Sequence, residues 1–227
     1  MAERPIYLPN ACGDSLVEKL EVQFKWHAGL SISQKQKSIR SLHESAISKI
    51  GETEILEISS KSETEIGKNL SAFNLKFPMY NGKICTVECA YQGSKKFKNG
   101  GPYIDLYGLE SRSAKQDIRI RNGDLLIAFE YDGEEWPLEP QTCFYDWIYI
   151  RALHLHEGLR EAVLEYSAFT DIEFNPKKSI NCQAQAVARY VALEQQGLIQ
   201  RVLADQEFFI STYGKTPVIQ SQGNLNL

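Results

Sequence analysis

The chain has 227 residues, 43% hydrophobic and 24% charged, with a formal net charge of −4. That length carries one large domain or two small ones with a full core, and the acid excess argues against a general nucleic-acid binder. No run of 18 apolar residues occurs, the N-terminus lacks an apolar signal core, and five cysteines (Cys12, Cys85, Cys89, Cys143, Cys182) form an odd set without Cys-x-x-Cys spacing. The expectation is a cytoplasmic protein with reduced thiols, no membrane span and no metal set.

Met1 to Ser15 holds two prolines and Asn-Ala-Cys-Gly-Asp and reads as an irregular arm. Leu16 to Trp26 alternates apolar and charged residues, as a strand does. Ser33 reads as the cap of a helix whose buried stripe is Ile39, Leu42, Ala46 and Ile50 and whose stop is Gly51. Glu54 to Ser59 is a short strand that runs into the polar stretch Ser60 to Glu65. Leu70 to Phe77 leads to Tyr80-Asn-Gly, a hairpin-type turn.

Thr86 to Phe97 reads as one helix. Val87, Ala90, Tyr91, Ser94 and Phe97 lie on one side; Glu88, Gln92 and Lys95 recur at i, i+4 and i+7 on the other. A rise of about 1.5 Å per residue separates Glu88 and Lys95 by roughly 10 Å of backbone, so their long side chains can converge. On spacing alone, a solvated amphipathic face is the better explanation of the pattern. Asn99-Gly-Gly-Pro-Tyr reads as a turn, and a helix begins at Ser111. Between Gly93 and Arg121 stand seven bases (Lys95, Lys96, Lys98, Arg112, Lys115, Arg119, Arg121) against Asp105, Glu110 and Asp117, followed by six acids and no base from Asn122 to Pro140. The basic segment suits an anionic ligand such as a phosphate, or pairs with the acids after it.

Ile127 to Tyr131 reads as a strand closed by Asp132-Gly, and Thr142 to Tyr166 as the longest helix. Phe169 to Ile180 reads as a polar loop, with Ser179 or Asn181 capping a last helix that stops at Gly197. The tail from Ser211, with Gly, Gln and Asn, is expected to be partly ordered at best. His154 and His156 stand two apart, which puts them on different sides of a helix and argues against a shared metal. There is no Walker A loop, no Gly-x-Gly-x-x-Gly and no Gly-x-Ser-x-Gly elbow. The whole reads as a helix-rich α+β domain, residues 61–210, with residues 1–60 packed on as an extension and 211–227 as a tail.

Three stretches in order carry a family resemblance: Leu70-Ser-Ala-Phe-Asn-Leu75; Thr86-Val-Glu-Cys-Ala-Tyr-Gln-Gly-Ser-Lys-Lys-Phe97; and the Trp147 helix with the loop from Asp171 to Gln183. They resemble the NADAR family of N-glycosidases, which includes an enzyme of the riboflavin pathway. Cys89 stands where that family commonly has a histidine, and the usual late tryptophan-glycine ending is not evident. Trp26, Ser33 to Ser38, Leu42-His43, Glu57 to Ser62, Gly100-Gly101-Pro102, Phe144-Tyr-Asp-Trp147 and Phe169 to Pro176 are similar to the NADAR antitoxins encoded beside DNA ADP-ribosyltransferase toxins.

The resemblance implies an antitoxin glycohydrolase, without cofactor, that removes ADP-ribose from guanine in DNA, its functional partner being the toxin. Glu88 and Lys95 are the implied catalytic pair: a proton shuttle and an amine that forms a Schiff base or, more simply, holds a phosphate. The covalent role needs a lowered amine pKa, from burial or from a neighbouring cation such as Lys96. Ser71, Phe73 and Asn74 are expected at the sugar, Lys61 and Lys115 at the diphosphate, and Tyr91, Gln92, Trp147, Asp171 and Asn181 at rings and hydroxyls. The competing readings are an N-glycosidase on a small nucleotide metabolite and a non-catalytic ADP-ribose-binding or toxin-blocking protein.

Overall fold

A computed structural model describes residues 1–13, 15–79 and 82–213. The chain opens with a hairpin, β1 (Ala2–Pro9) against β2 (Val17–Phe24), paired antiparallel from Ala2↔Phe24 to Pro9↔Val17. The stretch expected as an irregular arm is therefore a strand. Its prolines misled, yet the neighbour on the other side of β1 covers only Ile6 and Tyr7. Pro5 and Pro9 thus fall outside the stretch paired on both edges, where a missing N–H is tolerated. Helix α1 (Ile32–Ile50) follows, capped by Ser31 rather than Ser33 and closed at Gly51. Then comes β3 (Ile55–Glu57).

The neighbour of β1 is β9 (Ala168–Thr170), which also pairs in parallel with β3, so the sheet order is β2-β1-β9-β3. Successive side chains of β1 face opposite ways. Ile6 packs with Val22, Phe24, Ile39, Leu42 and Ala46 under α1, while Tyr7 enters the main core. The start of the loop expected at Phe169 is thus a central strand, held only because β1 and β3 flank it.

A short helix α2 (Glu65–Asn69), capped by Thr64, precedes the hairpin β4 (Lys76–Pro78) and β5 (Ile84–Thr86). The expected turn at Tyr80-Asn81 lies outside the described residues. Helix α3 covers only Val87–Gly93, and Lys95–Phe97 is strand β6. The single helix expected to Phe97 is cut short because β7 (Leu126–Tyr131) captures the chain: Glu130 N–H donates to the Ser94 carbonyl at 2.7 Å, and Lys95 registers with Phe129. Between them lie a 3-10 turn (Ile104–Gly108), α4 (Ser111–Gln116) and α5 (Ile118–Arg121). Strand β8 (Glu134–Trp136) completes the β6-β7-β8 sheet through a tight turn in which Asp132 and Gly133 both have positive φ.

The expected long helix is two: α6 (Cys143–His154), buried almost throughout, and α7 (Glu157–Val163). The break falls at His156, whose side chain bonds the Lys76 carbonyl of β4 and pulls the chain out of helical register. Helix α8 (Gln183–Gln195) begins at Cys182, with no side-chain cap from Ser179 or Asn181, and the chain leaves it at Gly197 as expected. α9 (Ile199–Ala204) and α10 (Gln206–Ser211) follow; residues 214–227 of the expected tail lie outside the described residues. α8 packs on α6 and on the face of the four-stranded sheet opposite α1. Among the described residues, no helix is long and apolar enough to cross a membrane.

Gly101 has φ +84, and a Cβ built on it falls onto the Lys95 carbonyl oxygen. Gly51 has φ +91 with nothing nearby. Gly51→Ala is expected to cost about 1–3 kcal/mol, the strain of the backbone alone. Gly101→Ala is expected to cost clearly more, because β6 must also move; urea unfolding of both variants measures the difference.

Candidate functional site

Three elements build a cleft of about 460 Å³: the turn after α2, helix α3 with β6, and the loop between β9 and α8. Each is fastened by hydrogen bonds outside the cleft's own walls or between them. Gln183 of α8 accepts from Ala72 N–H at 2.8 Å and donates to the Ile58 carbonyl at 2.7 Å, tying Ser71–Phe73 to β3 and α8. Thr86 caps α3 through the Cys89 N–H, and its hydroxyl meets Ser111 Oγ at 2.8 Å, which in turn donates to the Phe73 carbonyl. Glu88 N–H donates to Ala72 O at 3.0 Å. The first turn of α3 is therefore locked against the segment facing it.

Nine of the expected site residues line this cleft: Ser71, Phe73, Glu88, Tyr91, Gln92, Lys95, Lys115, Asp171 and Asn181. Three do not. Lys61 stands beyond it, with its backbone N–H on Ser59 Oγ. Asn74 is exposed and donates to the Lys68 carbonyl. Trp147 is packed in the aromatic core against Trp136 and Tyr131, ring centroids 4.7 and 6.0 Å away. Sequence reasoning passed over Tyr145, Glu173 and Lys178, which also line the cleft. Tyr145 sat inside the quoted Phe144-Tyr-Asp-Trp147 motif, so its aromatic signal was at hand; the other two are ordinary loop charges with none.

Glu88, Gln92 and Lys95 are all buried, which removes the solvated-face alternative. Gln92 Nε2 donates to Glu88 Oε1 at 3.0 Å, and Lys115 Nζ stands 3.5 Å from the same oxygen. A carboxylate only accepts, so it dictates the orientation of the Gln92 amide. Gln92 Oε1 is left buried without a protein partner. A buried acceptor without a donor is costly unless a ligand or water supplies one.

Lys95 is 2% exposed, its Nζ 5.1 Å from the centre of the Tyr91 ring. Burial pushes its pKa down to about 8, the Glu88 carboxylate partly opposes this, and Lys115 assists it. The neighbouring cation is Lys115 and not Lys96, as the helical reading had it: Lys96 reaches the other way, to Glu130 at 3.0 Å and Glu135 at 2.8 Å. The cause is the strand, in which successive side chains point to opposite faces.

A second carboxyl shares the cleft. Asp171 Oδ1 accepts the Glu173 and Phe174 N–H groups at 2.9 and 3.0 Å. Burial, and after it the charge of Glu57, raises its pKa well above the usual carboxylate range. Glu57 lies behind it, its Oε1 accepting Ile172 N–H at 2.9 Å and its Oε2 accepting the Thr170 hydroxyl at 2.7 Å. Two carboxyls so buried disfavour carrying both negative charges at once. His43 Nε2 meets Thr170 Oγ1 at 2.9 Å, and burial lowers its pKa to about 4, keeping the ring neutral. The cleft therefore combines an amine near neutrality, a carboxylate beside it and a carboxyl biased toward its protonated form. Among the described residues, no cluster of three or more His, Cys, Asp or Glu could hold a metal ion.

No curated protein matches the chain. The sequence profile of the DarT1-associated NADAR antitoxins matches residues 2–223, nearly the whole chain. The chain belongs to the DarT1-associated NADAR antitoxin family.

Proposed function

We propose that this protein is an ADP-ribosyl glycohydrolase that removes ADP-ribose from guanine in DNA and so reverses the lesion its partner toxin makes. The observation that carries the reading is the buried Lys95 amine, its pKa near 8, in one cleft with Glu88 and the acceptor-bearing Gln92. Family membership supplies the toxin context.

The bond to be cut joins ribose C1 to the exocyclic guanine nitrogen. Protonation of the ring oxygen, with Glu88 as proton carrier, lets the nitrogen lone pair open the sugar to an imine. The neutral Lys95 amine then adds to C1. A proton passes to the guanine nitrogen, the C1–N bond breaks, and guanine leaves unmodified. The Lys95 Schiff base takes up one water, C1 leaves the amine as an aldehyde, and the sugar recloses as ADP-ribose. Asp171, which burial and the charge of Glu57 bias toward its protonated form, donates to a ribose hydroxyl, and Gln92 Oε1 accepts from a substrate N–H or O–H. Lys115 and Lys178 at the mouth offer charge to the diphosphate. Ser71, Phe73, Tyr91 and Asn181 complete the walls.

Purified protein incubated with a guanine-ADP-ribosylated oligonucleotide is expected to release free ADP-ribose and leave a riboflavin-pathway intermediate untouched. Glu88→Gln is expected to slow release by about 10²–10⁴-fold, the usual weight of a general acid–base group. Lys95→Ala is expected to abolish it, and borohydride is expected to trap the sugar on Lys95 of the unmodified protein; turnover with no adduct sinks the covalent step. Cells protected from the toxin equally well by both variants would instead mark a protein that blocks its toxin by contact.

The lysine also links activity to stability. Only the neutral amine attacks, so the rate of the chemical step is expected to rise with pH and level off above about 8. In the unfolded chain the same amine titrates near 10.4. The unfolded state thus binds the extra proton between these values, and the lysine weighs against folding below about 8, less so as pH rises through that window. Lys95→Met is expected to raise the melting temperature at pH 7, by up to about 3 kcal/mol of stability, with the advantage fading toward pH 10.

A further inference from the structure

Leu42-His43, Glu57 to Ser62 and Phe169 to Pro176 lie far apart in the sequence, and the fold joins them through one buried hydrogen-bonded chain. It starts on α1, where His43 Nε2 meets Thr170 Oγ1 at 2.9 Å. It crosses β9 at Thr170, whose hydroxyl donates to Glu57 Oε2 at 2.7 Å, and ends on β3. Glu57 Oε1 accepts the Ile172 N–H, and the Ser59 hydroxyl is a third donor to the carboxylate. His43, Thr170 and Glu57 all stand outside the cleft's lining, but Asp171, the next residue after Thr170, belongs to it.

Donor count separates the two buried carboxyls. Glu57 has three donors, whereas Asp171 has two backbone N–H groups, both on Oδ1. Donors favour the charged form, so in a pair that disfavours two charges Glu57 is the charged member and Asp171 keeps the proton. The hydrogen on the ring follows from this. Thr170 has one hydroxyl hydrogen and gives it to a carboxylate that only accepts, so His43 Nε2 must carry its own. Above about pH 4 the ring is neutral, which makes it an Nε2–H donor at the far end of the chain.

The other titratable groups facing Asp171 are Glu173 on its own loop, Tyr7 of β1, Tyr145 and Tyr149 of α6, and Cys182 before α8. Burial pushes the three phenols and the thiol up, so they stay neutral where carboxyls titrate. Lys95, Lys115 and Lys178 stand in the same cleft. Of the two acids, Glu57 acts on Asp171 more strongly than Glu173 does, and Glu173 also faces Glu57.

We infer that Glu57 is a positioning residue for the substrate: the chain His43–Thr170–Glu57 keeps a negative charge behind Asp171, and that charge keeps on Asp171 the proton with which it holds a sugar hydroxyl. The inference rests on the proposed glycohydrolase reading for the ligand in the cleft.

The test has two parts. Ring-nitrogen NMR of the full chain without ligand, with His43 assigned through His43→Gln, is expected to show the Nε2–H tautomer. In Glu57→Gln the amide offers one acceptor to two donors. The Ile172 N–H cannot turn away, so the amide NH₂ group falls to Thr170, whose hydroxyl turns to the ring, and His43 is expected to switch to Nδ1–H. Calorimetry then gives ADP-ribose affinity against pH. Ionised Asp171 loses its donor and adds a charge of the diphosphate's own sign, so affinity is expected to fall as pH rises through its titration. Asp171→Asn, which keeps a donor and cannot titrate, identifies that fall. The fall is expected roughly one to three pH units lower in Glu57→Gln, and lower by less in Thr170→Val, which removes one donor of the three; thermal unfolding checks that both variants fold. A merely structural role weakens binding without moving the fall. His43 protonated on Nδ1 in the unsubstituted protein, or a fall that stays at the same pH in whichever variants fold, overturns the proposal. A protein that binds no ADP-ribose at any pH overturns the glycohydrolase reading and this role with it, whereas the ring tautomer, read without ligand, reports on the chain by itself.

Discussion

The hydrogen bond from Glu130 N–H to the Ser94 carbonyl decides what kind of site this protein has. It ends α3 at Gly93 and turns the next three residues into the edge of a sheet. In a strand, Lys95 and Lys96 must face opposite ways. One amine is driven into the cleft against Tyr91, and the other is left outside with Glu130 and Glu135. Two adjacent lysines, chemically identical in the sequence, become a depressed, buried amine and an ordinary ion-paired one. Gly101 leaves room on the other side of the strand, where a Cβ would fall on the Lys95 carbonyl oxygen.

The opposite wall depends on a different constraint. The loop after β9 has no regular structure of its own between Thr170 and Gln183, so buried polar groups hold it. Glu57 reaches from β3 to the Ile172 N–H and the Thr170 hydroxyl, and Asp171 folds back on Glu173 and Phe174. The groups that shape the loop also set its electrostatics, because Glu57 buried behind Asp171 makes a second negative charge there unfavourable. Structure and proton affinity have one cause at this wall. Gln183 performs the equivalent mechanical role between α8, β3 and the Ser71–Phe73 turn.

Features that depend on neighbours in sequence were legible. The stripe Ile39, Leu42, Ala46 and the stop at Gly51 mark α1, and Asp132-Gly133 marks a hairpin turn because both residues accept positive φ. Features that depend on distant pairing were not. β1 was hidden by its prolines and β9 by its brevity; β2 pairs the whole length of β1, and β9 is a strand because β1 and β3 flank it. The helices read through Lys95 and through His156 ran too long for the same reason: helical periodicity shows no sign of a remote carbonyl or strand waiting to capture the chain.

The same division runs through the site. Residue types, spacing and order of motifs alone brought Glu88, Gln92, Lys95, the Ser71–Phe73 segment and the Asp171–Asn181 loop into one hypothesis, since family patterns are carried by sequence. Trp147 belonged to the same pattern and turned out to pack in the aromatic core, because burial beside Trp136 is a property of the fold. Which lysine is depressed, which carboxyl tends to hold a proton and which amide oxygen lacks a partner were decided only by tertiary structure. Desolvation and proximity are set by what covers a group, and here the covering residues come from every part of the chain.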